Sequence, residues 1–192
     1  KSSYMKQVVA DRETYGDMIL DLKPQITNFA PQDMNQVLAF TTEVERRLGL
    51  LSDERMVLKA FDGWPEAKLE CLREVVARYN ELQRIKSGWD PSSSSWKTKT
   101  NVIAELEYVM EKFSSTSQTV EWYLRSKQDL NKQYLNHKIP FDWDQLKEVQ
   151  ESAVGLARYA MNIVLEAYAR LDPTDVGKQT VTVRGQLQSA CL

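Results

Sequence analysis

The chain has 192 residues, 25 basic and 27 acidic, giving a formal charge of −2, with only seven glycines, six prolines and two cysteines. That length carries one sizeable core or an elongated helical array, and the near-neutral charge leaves no electrostatic footprint for general nucleic-acid binding. No apolar run approaches the roughly 20 residues that cross a bilayer, so this fragment is not expected to insert directly into a membrane.

Two cysteines, Cys71 and Cys191, are too few for a disulfide framework. They point to a reducing compartment, the cytosol first, with Cys71 expected as a buried, inert thiol. No signal segment follows Lys1, and the chain reads as a piece of a longer protein, with any anchor expected upstream.

Five helices are predicted. The first spans about Ser3 to Phe29 with Val8, Val9, Met18, Ile19 and Leu22 as apolar positions. Pro24, which cannot donate to the helical ladder, should kink or interrupt it. Asp33 is placed to cap a second helix running from about Asp33 to Phe61, in which Val37, Phe40, Val44, Leu48, Leu51 and Leu58 recur at helical intervals. Asp62-Gly63 is turn chemistry. A third helix follows from Pro65 to about Lys86, with the stripe Leu69, Leu72, Val76, Tyr79, Leu82 and Ile85.

Gly88 to Ser95 reads as a loop, and a very long fourth helix is predicted from about Thr98 to Asn136. Its residues Ile103, Leu106, Met110, Phe113, Val120 and Leu124 keep a heptad rhythm, with Ser117 in one seam position. Ile139 to Trp143 forms a second corner, and Asp142 is expected to cap a fifth helix ending near Leu171. Its seam is Val149, Ala153, Leu156, Ala160, Ile163 and Ala167, small enough for close helix approach. Residues 173–192 lose the rhythm and read as an irregular tail, with Thr180 to Val183 as the one strand-like stretch. The expectation is an all-α, elongated bundle of about five helices, with residues 1–172 as one helical domain.

Chemistry is sparse. His137 is the only histidine and sits in a polar turn, where a packing role outweighs a catalytic one. One histidine and two distant cysteines do not make a familiar zinc cluster. Gly177-Lys178 lacks the preceding glycine and the following hydroxyl residue of a phosphate loop. No enzyme activity, cofactor or metal is expected. The charged run Asp53-Glu54-Arg55 with Lys59 one turn on is either ordinary surface pairing or a partner-binding, corner-organising cluster. Trp64 reads as a wedge beneath the corner, with an interface anchor as the alternative. Trp89 and Trp96 bracket the serine loop, where a core role is least assured. Lys97, Lys99, Lys112, Arg125, Lys127 and Lys132 recur along the fourth helix, a solvated face by default and a track for an acidic filament in the sharper reading.

The segment from Leu51 through Asp53-Glu54-Arg55, Val57-Leu58-Lys59 and Phe61 to Trp64-Pro65-Glu66, followed by Lys68 and Leu72-Arg73-Glu74, resembles the signature of the chloroplast unusual positioning family of plant proteins. Further matches, in order, are Val9 to Thr14, Tyr134, Ile139-Pro140, Asp142-Trp143, Ser152, Val154, Leu156-Ala157 and Met161.

The resemblance implies a C-terminal domain similar to the formin homology 2 fold, helical and prone to form a homodimer. It implies regulation of short actin filaments at the chloroplast outer surface, in the cytoplasm, with actin as the partner. Arg46 and Arg47 stand where that family is acidic. The reversed charge points to the alternative, a non-nucleating dimeric scaffold that binds microtubules or another cytoskeletal adaptor. The partner-binding candidates are Arg46 and Arg47, Asp53, Glu54, Arg55 and Lys59, Trp64, Glu66 and Arg73 at the corner, and Arg125 and Lys127 on the long helix.

Overall fold

The structure, a computed structural model, describes residues 3–90 and 101–170. Among these every regular element is a helix: α1 (Ser3–Asn28), α2 (Met34–Leu48), α3 (Glu54–Leu58), α4 (Glu66–Gly88), α5 (Val102–Asn136) and α6 (Asp144–Ala169). The expectations for Trp96, Lys97, Lys99, Thr98 and the serine run, and for Leu171, the tail, its strand-like stretch, Gly177-Lys178 and Cys191, lie outside the described residues.

The expectation at Pro24 is narrowed, and the one for the helix after α1 is corrected. The first helix is not interrupted at Pro24, which lies inside α1. Ile19, Leu22 and Ile26 flank it and are buried to within 1%, and that apolar face holds the last turn helical. Beyond the proline, Lys68 Nζ donates to the carbonyls of Thr27 and Phe29, satisfying oxygens that the helix end leaves open.

The predicted second helix is two. Asp33 caps α2 as expected, accepting from the Gln36 N–H at 2.9 Å. After Leu48, however, the chain turns, and the short α3 starts under its own cap, Asp53, which accepts from the Met56 N–H. The reason is tertiary: the Asp11 carboxylate on α1 takes the backbone N–H of Ser52 at 2.7 Å and its hydroxyl at 2.6 Å. With a partner supplied from another helix, that N–H need not join a helical ladder. The apolar positions read along this stretch still face inward, with Val37, Val44, Leu48, Leu51 and Leu58 all buried.

The residues form two compact units, the divide falling within α4 and within α5. One unit holds residues up to 81 together with 126–143. Its core draws Val8, Ile19, Leu22 and Ile26 from α1, Val37 and Val44 from α2, Val57 from α3, Leu69, Leu72 and Val75 from α4, and Tyr134 and Ile139 from the second corner. The other holds, of the described residues, 82–90, 101–125 and 144–170. There Val109, Leu156 and Ala160 form a cluster against which Trp89, Phe113, Tyr159 and Ile163 pack. Trp89 therefore serves this core, and Lys112 Nζ lies 5.5 Å from its ring centre.

The second corner closes on aromatic contacts. Phe141 sits 5.7 Å from Tyr134 and 4.7 Å from Trp143 between ring centres, and the Trp143 indole donates to Asn131 Oδ1 at 3.0 Å. Lys138 takes a left-handed backbone at φ 59°, letting the Ile139 N–H return to the Tyr134 carbonyl. α6 begins at Asp144, so Asp142 lies before the helix and not at its cap. Its predicted seam is the inner face, with Val149, Ala153, Leu156 and Ala160 buried.

Candidate partner-binding surface

The segment from Ser52 to Gly63 is held against α1 along its length. Tyr4 donates to the Asp53 carboxylate at 2.5 Å, Asp11 grips Ser52, Arg12 donates to the Met56 carbonyl, and Lys23 donates to the Asp62 carbonyl at 2.6 Å. The spacing of Tyr4, Asp11, Arg12 and Lys23 places them along one side of α1, facing the turn and α3. Hydrogen bonds from the Ser52 hydroxyl and N–H, then Gln7, keep the Asp11 carboxyl below its ordinary range. Asp53 is lowered in the same direction by Tyr4 and then the Met56 N–H, and the Tyr4 phenol is raised by its bond to Asp53. The segment closes at Gly63, whose φ of +66° suits glycine, with Lys23 Nζ lying 3.3 Å from where a Cβ would stand.

Several sequence candidates are consumed inside this framework. Arg73 on α4 meets Glu45 of α2 at 2.7 Å, Glu54 of α3 at 2.8 Å and Glu70 of its own helix at 2.8 Å. Burial alone would lower the guanidinium pKa, but the three carboxylates outweigh it and raise it. Arg46 and Arg47 both bind Glu43, and Arg47 also reaches Asp21 of α1 at 3.0 Å. That shared pairing holds the Glu43 carboxyl down at about 2. The charges of Arg46 and Arg47 are thus balanced largely within the fold. Glu54, Arg73, Arg47 and Asp53 organise the corner.

What remains outward is a smaller set. Arg55 and Lys59 are exposed, four residues apart at α3, and form no ion pair among the described residues. Glu66 is exposed in the first turn of α4, where the helix dipole favours its charge, and Trp64 is half-buried beside it. The basic residues of α5 do not make one stripe. Lys112 stacks on Tyr108 and Trp89, and Lys127 lies 5.4 Å from the Trp143 ring centre. Arg125 and Lys132 are exposed and seven apart, but Arg125 and Lys127 are separated by two residues, about 200° around the helix.

Residues that sequence reasoning missed include Tyr4, Asp11, Arg12 and Lys68, whose partners lie 39 or more residues away. A carboxylate or cation on a helix carries no signal for such contacts. Glu74 was also missed: it pairs with Arg78 at 2.9 Å and accepts from Gln133 at 3.1 Å. Cys71 is buried, and its thiol is pushed up to about 11 by burial and then by Glu74, which leaves it inert as expected. No group of metal-binding side chains occurs among the described residues.

No family model matches the chain. It is similar to an uncharacterised protein of Arabidopsis thaliana, with 32% identity over 169 residues covering 86% of this chain. The chain spans only 22% of that relative's length. No helix among the described residues is long and apolar enough to cross a membrane.

Proposed function

We propose that this domain binds actin and promotes filament assembly, within a plant cytoskeletal protein of the chloroplast-positioning kind that works in the cytoplasm at the chloroplast outer surface. The observation that carries the reading is the state of α3. A five-residue helix, too short to hold itself, is fastened with its flanking residues by four side chains of α1 and leaves Arg55 and Lys59 exposed, with no ion pair among the described residues. Fixed cations cost less ordering entropy on binding an acidic surface than mobile ones do. The order of the signature residues from Leu51 to Glu74 supports the same reading, as does the similarity to a plant protein over most of the chain. Two such domains acting together would hold actin subunits near one another and reduce the entropy cost of a filament nucleus.

Pyrene-actin assembly with the purified domain tests this. Faster assembly, abolished by Arg55→Glu with Lys59→Glu while helical content is unchanged, is the expected result. Unchanged assembly in the double variant removes these residues from the contact. The second reading, a scaffold that binds microtubules or another adaptor without assembling actin, is favoured by the uncovered apolar face of α6, which suits a helical partner better than a filament nucleus. Co-sedimentation with each filament separately distinguishes the two.

A further inference from the structure

The last turn of α4, in the second unit, reads Arg84-Ile85-Lys86-Ser87-Gly88. Of all the serines and threonines in the chain, Ser87 alone has an arginine three residues before it, and Lys86 immediately precedes it. Arginine-directed serine kinases select that spacing, because carboxylates in their substrate cleft bind a guanidinium at that position. The structure leaves both recognition residues accessible. Arg84 and Ser87 are exposed, and Arg84 forms no ion pair among the described residues. The Ser87 hydroxyl donates to the Arg84 carbonyl at a long 3.3 Å. A Cβ added to Gly88 would meet nothing within 4 Å, so the space beside Ser87 is open. Two contacts tie this turn to its unit. Lys86 bonds Glu148 of α6, with the two side chains 43% and 47% exposed. Trp89, just past the helix, packs against the Val109, Leu156 and Ala160 cluster.

We propose that Ser87 is a phosphorylation site, and that its phosphate opens the end of α4. In the transfer, Ser87 Oγ bonds the γ-phosphorus of ATP as the bond to ADP breaks, and the hydroxyl proton passes to the kinase's carboxylate base. The product carries a charge of about −1.5 to −2. It stands on the C-terminal turn, where the helix already presents the negative end of its dipole. Arg84 offsets little of this, since a cation N-terminal to an anion is the less favourable order for a helical pair. Lys86 is the adjacent residue, about 100° around the helix, so it meets the phosphate only if the turn unwinds. Unwinding exchanges an exposed bond to Glu148, which is worth little, for a charge-assisted bond to the phosphate. The balance favours the open turn, and opening draws Trp89 off the core. Opening also serves the kinase. Its cleft takes substrate in extended form, and Ile85, buried in the helix, is not presented until the turn opens. The enzyme therefore reads the opened state in proportion to its population.

The whole chain, incubated with ATP and calmodulin-dependent protein kinase II as an arginine-directed probe, should take phosphate at Ser87, located by fragmentation mass spectrometry. Arg84→Gln should slow the transfer about tenfold, through loss of the guanidinium that the kinase cleft binds. Glu148→Gln leaves the recognition residues intact and removes the partner of Lys86 on α6, so it should speed the transfer about twofold. In the phosphorylated chain, hydrogen exchange of the amides of residues 85–89 should quicken about tenfold while that of α1 stays unchanged. Ser87→Ala, at an exposed site, should exchange as the unmodified chain does and take no phosphate there. A chain that leaves Ser87 bare while other residues are phosphorylated overturns the site, as does Arg84→Gln modified as fast as the parent. Phosphate at Ser87 with unchanged exchange overturns the opening of α4, and so does Glu148→Gln modified no faster than the parent. No arm of this test contains actin, so failure of the actin reading leaves the site standing.

Discussion

The two compact units treat their side chains differently. In the unit built on α1, the polar groups of the 52–63 segment are met from within the chain: Asp11 by Ser52, Asp53 by Tyr4, Glu54 by Arg73, and the Asp62 carbonyl by Lys23. In the unit containing α6, Val154, Met161, Leu165 and Tyr168 stay in water while Val149, Ala153, Leu156 and Ala160 fill the seam. The first unit ties its charged groups down across helices, with Leu20, Leu50 and Leu135 exposed as separate residues. The second is complete on one face of α6 and open on the next. A fold can thus specify geometry through cross-helix hydrogen bonds in one region and leave an apolar row open in another.

Core truncation gives the widest separation. Leu22→Ala, at a site 1% exposed, should cost about 2–5 kcal/mol in chemical unfolding. Leu165→Ala, on the open row, should stay within about 0.5 kcal/mol in the monomer. Equal losses would break the comparison, because they would mean that the outer row is already packed.

Next comes the hub. Arg73→Ala removes links to α2 and α3 together, and because the guanidinium is 27% exposed, about 1–2 kcal/mol is expected by denaturant titration. Arg73→Lys should recover only part of it, since an ammonium cannot present the guanidinium fork to three carboxylates. Full recovery would reduce the hub to simple charge balance.

Gly63→Ala should cost about 1 kcal/mol through its positive φ, read as a lower melting temperature. Reversing Arg55 and Lys59 should leave stability within about 0.5 kcal/mol, which sharpens the distinction between groups the first unit consumes and groups it presents.

The smallest effect per group is in pH. Asp11, Asp53 and Glu43 have carboxyl pKa values lowered by their hydrogen bonds. Lowered folded values contribute stability that is full above the ordinary carboxylate range and lost as pH falls through the folded values. For Glu43 that window runs from 4.5 down to about 2. Thermal melts across it should show the decline, and Asp11→Asn should flatten it. A stability that rises on acidification would contradict these pairings.

Much of the helical order was legible from periodicity. Helix class, the Asp33 cap, the Asp62-Gly63 turn, the inner α6 seam and buried Cys71 all follow from local spacing or side-chain chemistry that acts within a few residues. The break between α2 and α3 was not legible, because the competing hydrogen bond comes from Asp11, 41 residues away. The site was read only in part. Sequence spacing picked out the charged corner, but it did not say that Asp53, Glu54 and Arg73 are used up by Tyr4, Glu45, Glu70 and each other, leaving Arg55 and Lys59 outward.

By itself, then, the sequence determined that this protein is a set of helices, where most of them turn, and which stripe of each is apolar, because a 3.6-residue repeat writes those properties into neighbouring positions. Tertiary structure alone decided which charges are spent and which apolar row of α5 and α6 is covered. The heptad read on α5, Ile103 to Leu124, is half open, and α6 carries a second row that the first concealed. Periodicity marks a row as apolar but not what lies across from it; that depends on residues brought together from distant parts of the chain.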